Sequence, residues 1–219
     1  IYQFLLRKKF ITTLDIAKIK KDGISQTQKN EVNYQSKTIG KYEIVKEIGR
    51  GGMGVVYEAV DTILKRKVAL KTLKSGDDAD STEIERFERE ARLSASLQHP
   101  NIISVYDVGI VGNIHFFTME YIQGIPIDDY VSQKNLDFEK IVFLIKDVAE
   151  ALAFAHSKNI VHRDIKPGNI LVDENGIVHL GDFGLARNIS SDKNLTMSGT
   201  PIGTPAYMST EQALGKMTK

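Results

Sequence analysis

The sequence contains no cysteine. Disulfides, thiolate metal sites and a thiol nucleophile are therefore excluded. Long apolar runs are missing too. No unbroken one, such as 141–145, exceeds five residues, against the roughly 20 that a membrane-spanning helix needs. There is no strong excess of one charge, because 29 Lys and Arg face 28 Asp and Glu for a formal net charge of +1. Internal repeats are absent, and so is the phosphate-binding pattern G-x-x-x-x-G-K-[ST]. What remains is a 219-residue chain that is 42% apolar and 26% charged. That composition supports one good-sized domain with a buried core.

The near-neutral total hides an uneven distribution. Residues 1–40 carry 8 Lys and Arg against 3 Asp and Glu, whereas 41–219 carry 21 against 25. A mildly acidic main body argues against a nucleic-acid footprint. The basic stretch reads either as a solvated helix face or as a contact for a phosphate surface. Its first residue is Ile1, so the start is expected to be a cut end. Arg7, Lys8 and Lys9 interrupt the apolar residues too early for a signal peptide.

Residues 1–21 have helical spacing, and 22–40 read as a polar linker. A compact domain is expected to begin near Tyr42. Strands are expected at 42–48, 55–61 and 67–73, a helix at 81–97, and further strands at 102–110 and 114–121. In the helix, Ile84, Phe87, Ala91 and Ala95 form the expected buried stripe. After a short connection at 120–124, the strongest helical pattern is 137–157, with Ile141, Ile145, Val148, Leu152 and Ala155 recurring at helical spacing. Short strands at 170–172 and 178–180 flank the Asn175-Gly176 turn. A mainly β part with one helix thus precedes a helical part, an α+β arrangement.

Five motifs carry chemistry. Gly49, Gly51 and Gly54 spell G-x-G-x-x-G, but a β run follows instead of the helix a dinucleotide fold requires. A strand–turn–strand flap over a phosphate, its glycines letting backbone N–H groups come close, competes with a plain flexible hairpin. Val68-Ala69-Leu70-Lys71 is an apolar strand ending on a cation. Alternation puts Val68 and Leu70 on one face and Ala69 and Lys71 on the other. Glu90 lies mid-helix on the side of Phe87 and Ala91, where a carboxylate needs a cation, and Lys71 is the candidate. His162 to Asn169 packs His, Arg, Asp, Lys and Asn into eight positions. There Asp164 can accept a proton or orient a hydroxyl, Lys166 can neutralise a phosphoryl group, and Asn169 offers a neutral oxygen to a hard metal. Asp182-Phe183-Gly184 follows a buried strand and suits a Mg²⁺ ligand.

Together and in this order, these motifs resemble those of eukaryotic-type protein kinases, in particular the bacterial Ser/Thr kinases. The resemblance covers roughly 42–219. It implies a bilobal fold with a β-rich N-lobe (42–121), a hinge at 120–124 and a partial helical C-lobe (125–219). It implies ATP and Mg²⁺ as cofactors, proteins with Ser or Thr acceptors as partners, and a cytoplasmic location for the domain. The loop 48–56 (Ile48, Gly49, Arg50, Gly51, Gly52, Met53, Gly54, Val55, Val56) would cover the phosphates. Lys71 would hold them and pair with Glu90, Asp164 would be the base, and Asn169 and Asp182 would hold Mg²⁺. The adenine slot would be lined by Ile48, Val56, Ala69, Met119 and Leu171, with hinge backbone at Glu120 and Ile122. Lys166 and Thr204 match the Ser/Thr branch, where the threonine contacts base and lysine. Thr196, Ser198 and Thr200 fall where such kinases autophosphorylate, and Arg163 is the expected phosphate partner.

Two departures stand out. Thr210 replaces the family's proline before Glu211, and the downstream arginine that would pair with Glu211 has no counterpart before Lys219. The stretch is therefore expected to be part of a longer product, unstable or weakly active alone, with apolar faces of the 137–157 helix uncovered. A pseudokinase or nucleotide-binding regulatory module is the alternative within the same fold.

Overall fold

The structure, a computed structural model, describes residues 38–51, 54–73, 81–183, 187–188 and 204–213. The expected helix at 1–21 and almost all of the expected linker lie outside these residues. Two residues of that linker are instead a strand. β1 (Thr38–Ile39) pairs with the start of β2 (Tyr42–Arg50), and Ile39 is buried. Its apolar side chain has a place against Tyr42 and Ile44, so the sheet begins before Tyr42.

β2, β3 (Gly54–Asp61), β4 (Arg66–Leu73), β5 (Val105–Val111) and β6 (Ile114–Glu120) complete an antiparallel sheet of order β1-β2-β3-β4-β6-β5. Two register shifts in the β2–β3 pair, at Ile44/Lys46 and Glu47/Gly49, bend this hairpin. Period-2 alternation sorts the sheet's side chains. On one face Val68 and Leu70 join Tyr42, Ala59 and Phe116 in an apolar cluster, with Tyr42 and Phe116 edge to face at 5.6 Å. On the other, Leu73 and Phe117 receive helix α1 (Ser81–Ala95) through Phe87 and Ala91. The rings of Phe87 and Phe117 lie 5.1 Å apart. The buried stripe of α1 is Phe87, Glu90, Ala91 and Ser94. Ala95, expected inside, is exposed. The 3.6-residue period places Ser94, not Ala95, above Glu90 and Ala91.

β5 starts three residues later than the sequence pattern suggests. Ile102 makes a parallel bridge to Leu180 instead, flanked by bonds from Ile103 N to Leu180 O (2.9 Å) and Leu180 N to Asn101 O (2.8 Å). This segment ties the sheet to the helical part. That part contains β7 (Gly124–Pro126), α2 (Ile127–Lys134), α3 (Phe138–Ser157), β8 (Ile160–Val161), β9 (Ile170–Asp173), β10 (Val178–Leu180), β11 (Arg187–Asn188) and α4 (Thr210–Ala213). β10, β9 and β7 form one small sheet, and β11 pairs with β8. α2 was not anticipated. Its Asp128 and Asp129 give it a polar look, yet they sit in the first turn, where carboxylates favour the helix dipole.

α3 is capped by Asp137, whose side chain accepts from Lys140 N at 2.9 Å. It buries Leu144, Val148, Ala151 and Ala155 into a core with Ile127, Ile160, Ile170, Val172, Val178 and Leu180. Of the expected stripe, Val148 and Ala155 are buried and Leu152 packs against this core, whereas Leu144 takes the inward place expected for Ile145. Ile145 is half exposed, as are Val142 and Phe143, while the small Ala151 lets the helix approach. Among the described residues, no helix is long and apolar enough to cross a membrane.

Candidate active site

A cleft of about 700 Å³ opens between the bent β2–β3 hairpin and the loop that follows β8. The hairpin supplies Ile48, Gly49, Arg50, Gly51, Gly54 and Val56, and the bond from Gly51 N to Gly54 O at 2.9 Å closes its turn. The glycines differ in purpose. A Cβ on Gly51 would meet nothing within 4 Å, so Gly51 leaves open space above the cleft. A Cβ on Gly54 would lie 2.1 Å from the Thr72 carbonyl oxygen. Gly54 is thus required by close strand packing on β4, in addition to any approach to a ligand.

On the cleft floor, Lys71 projects from β4 and reaches two carboxylates. Its Nζ donates to Glu90 Oε1 of α1 at 2.6 Å and to Asp182 Oδ1 at 3.0 Å. Asp182 lies 111 positions away in sequence. The Lys71 and Glu90 side chains are only 11% and 2% exposed, whereas Asp182 is 46% open to the cleft. Burial pushes the Glu90 carboxyl up to about 7, against the pull of Lys71. Burial disfavours the Lys71 cation as well, but its two carboxylate neighbours outweigh this and raise its pKa. Asp182 is held below the usual carboxylate range, since the Lys71 charge and hydrogen bond outweigh the cost of desolvation. A positive group thus sits at the bottom of the cleft with an accessible carboxylate beside it.

The loop 162–169 forms the opposite wall. Asp164 N–H donates to His162 Nδ1 at 3.2 Å, so the ring proton is on Nε2 and is given to the Gly181 carbonyl at 2.9 Å. Burial lowers the His162 pKa and keeps the ring neutral. The ring also packs on Phe183 at 4.5 Å. Two non-glycine residues flank this knot with positive φ, Arg163 at 69° and Asp182 at 58°, each at a backbone cost of roughly 1–2 kcal/mol. Asp164 Oδ1 accepts from Thr204 Oγ1 (2.9 Å) and Thr204 N (3.0 Å). Its Oδ2 accepts from Lys166 Nζ (2.7 Å) and Asn169 Nδ2 (3.2 Å). Lys166 Nζ also donates to Thr204 Oγ1 at 3.0 Å. Burial pushes Asp164 up, but these donors outweigh it and hold its pKa below the ordinary value, so it is ionised at neutral pH. Asn169 spends its NH₂ on Asp164, with a second bond to the Asp164 carbonyl at 2.8 Å, which turns its Oδ1 away as a neutral donor.

The donor set fits a small hard cation. Among the described residues there is no group of three or more His, Cys, Asp and Glu that could hold a metal alone. One open carboxylate (Asp182) and one amide oxygen (Asn169) suit Mg²⁺, which typically takes one or two protein ligands and completes its shell with water and phosphate oxygens.

A model of the protein kinase domain matches residues 42–218. The chain belongs to the protein kinase family. Similar curated proteins include the serine/threonine-protein kinase PrkC of Bacillus subtilis, 42% identical over 177 residues. The probable serine/threonine-protein kinase PknB of Lactococcus lactis is 42% identical over 177 residues, and the serine/threonine-protein kinase PknA of Mycobacterium tuberculosis is 40% identical over 182. Each match covers 80% of this chain, and the chain spans 27%, 28% and 42% of the three relatives.

The kinase-domain cleft gathers most of the residues that the motifs single out. Ile48, Gly49, Arg50, Gly51, Gly54, Val56, Lys71, Glu90, Met119, Asp164, Lys166, Asn169, Leu171 and Asp182 all line it. Val55 does not: alternation turns it to the other side of β3, where it is buried. Ala69, Glu120 and Ile122 are also outside the lining. Ala69 lies in the sheet, opposite Met119, and Glu120 ends β6 with its N–H bonded to Ser104 O at 2.9 Å. Gly52, Met53, Thr196, Ser198 and Thr200 fall outside the described residues. The motif reading missed Ser94, Ile103, Val105, Phe117 and Gly181, which also line the cleft. Ser94 is polar, so its place on the buried side of α1 leaves no apolar signal in the sequence.

Proposed function

We propose that the protein is a serine/threonine kinase that transfers the γ-phosphate of ATP to Ser or Thr hydroxyls of other proteins. The observation that carries this reading is the convergence of Lys71, Glu90 and Asp182 with Asp164, Lys166 and Asn169 in one cleft. The names of the relatives, all serine/threonine-protein kinases, support it. In this reading 42–219 is the kinase domain, 42–121 being its N-lobe, 120–124 its hinge and 125–219 its C-lobe, and β1 (Thr38–Ile39) extends the N-lobe sheet by one strand before Tyr42. An ATP-consuming domain works where ATP is, which favours the cytoplasm.

The adenine ring fits between the apolar walls of Ile48, Val56, Met119 and Leu171. The hairpin covers the phosphates, and Lys71, oriented by Glu90, binds their oxygens. Asn169 and Asp182 would hold Mg²⁺, which when bound offsets negative charge on the phosphate oxygens. Asp164, ionised and fixed by Thr204 and Lys166, orients the acceptor hydroxyl and takes its proton. Lys166 neutralises charge on the transferring group. Much of the catalysis is placement of charge, so loss of a cation or of the base should spare folding.

Incorporation of γ-phosphate from Mg-ATP into a generic protein substrate tests this on the full-length protein. Lys71→Met and Asp164→Asn are each expected to lower turnover by about 100-fold or more while a cooperative melt persists. Near-normal turnover in either variant contradicts the assignment. The same incubation is expected to phosphorylate Thr196, Ser198 or Thr200, read by peptide mapping of 187–204. An unmodified peptide from an active preparation removes that part of the proposal.

A further inference from the structure

The peptide group joining Arg163 to Asp164 is gripped from two sides. Its N–H donates to His162 Nδ1 at 3.2 Å, and its C=O, that of Arg163, accepts from Gln212 Nε2 at 2.8 Å across 49 positions. Arg163 is the left-handed residue immediately before the base, with φ of 69°. A non-glycine residue holds this conformation only where its surroundings over-determine it. Relaxing it would rotate the peptide plane and move the Cα that carries the Asp164 carboxylate.

Gln212 is itself aimed. Ser209 N donates to Gln212 Oε1 at 3.1 Å, and Gln212 N donates to Ser209 Oγ at 3.3 Å, a reciprocal capping box at the start of α4. With Oε1 taken up by Ser209 N–H, the NH₂ end of the amide has one direction left, toward the Arg163 carbonyl. Thr204, six positions before α4 begins, bonds the side chain of the same aspartate. Segment 204–213 thus holds Asp164 twice, by its carboxylate through Thr204 and by its preceding peptide through Gln212.

We propose that Gln212 is a positioning residue for phosphoryl transfer. It fixes the Arg163–Asp164 peptide so that the base keeps its orientation, and makes that orientation depend on docking of segment 204–213. The inference rests on the kinase reading of the cleft, and its test separates the two.

Gln212→Glu in the full-length protein is the informative change. A glutamate at 212 still accepts from Ser209 N–H and preserves the capping box, but it presents an oxygen to the Arg163 carbonyl. Turnover with Mg-ATP and a generic protein substrate is expected to fall about 10-fold or more, with KM for ATP unchanged within about twofold. Deuterium uptake should rise in the peptide spanning 160–170 and stay unchanged over 205–213. Ser209→Ala, which removes a cap hydroxyl and keeps the backbone donor to Gln212, is expected to lose no more than about twofold in turnover. Wild-type turnover in Gln212→Glu overturns the proposal, as does an equal loss in Ser209→Ala or a loss confined to KM. If the wild-type protein transfers no phosphate, the kinase reading fails. The exchange comparison still decides the grip, because unchanged uptake over 160–170 overturns it.

Discussion

Glycines and carboxylates in and around the cleft have different reasons for being where they are, and single substitutions separate them. Gly54 sits where a methyl group would collide with the Thr72 carbonyl, whereas Gly51 faces open space. Gly54→Ala is therefore expected to destabilise the protein by roughly 1–3 kcal/mol through strand displacement. Gly51→Ala should stay within about 0.5 kcal/mol. Urea denaturation of both variants checks the contrast. Asp173, the last residue of β9, accepts from Asn175 N, Ile177 N and His179 Nε2. Burial raises its pKa, and these partners more than reverse that, holding it below the ordinary 3.8. A depressed carboxyl contributes stability above the unfolded value that is lost as pH falls through the folded one. The melting temperature of the wild type should therefore exceed that of Asp173→Asn at neutral pH, and the gap should close below pH 3.8. A gap that is constant with pH contradicts the assignment.

At the scale of elements, α1 is the part whose placement matters most, because it carries Glu90 to Lys71. Phe87 anchors it against Phe117, with Ala91 beside it. Phe87→Ala should cost about 3–5 kcal/mol in stability, and the variant that remains folded should lose Glu90–Lys71 contact and turnover together. Unaltered stability would mean that α1 is held by something other than this ring. The sequence pattern reveals such elements unevenly. Strands β2, β3, β4 and β6 and helix α3 are visible because Val, Ile and Leu recur at the period of each structure. β1 and β7 are two and three residues long and have no period to detect. The stripe of α1 reads one position off at its end because Ser94 is polar and faces the cleft, and Ala95 is apolar and faces solvent. Polarity misleads where a helix borders a binding site.

For the molecule as a whole, the candidate site was legible as far as its chemistry is concentrated in short runs. His162 to Asn169 and Asp182 announce themselves by residue type. What brings them to Lys71 does not, because contacts such as Lys71–Asp182 across 111 positions and Gln212–Arg163 across 49 leave no local trace. The tie between sheet and helical part at Asn101, Ile102 and Leu180 is equally silent, resting on backbone bonds that any residue can make and on one side-chain bond, from Asn101 Nδ2 to Val178 O at 2.8 Å across 77 positions. Yet that tie adjoins the cleft, whose lining includes its neighbours Ile103 and Gly181. The most direct test is a crystal structure of the full-length protein with Mg²⁺ and a non-hydrolysable ATP analogue. The triphosphate should lie between Lys71 and Asp182, with the ion on Asp182 and Asn169 and the adenine between Val56 and Leu171. A nucleotide bound elsewhere, or a complex in which Lys71 and Asp182 do not both contact the nucleotide or its ion, would contradict the account.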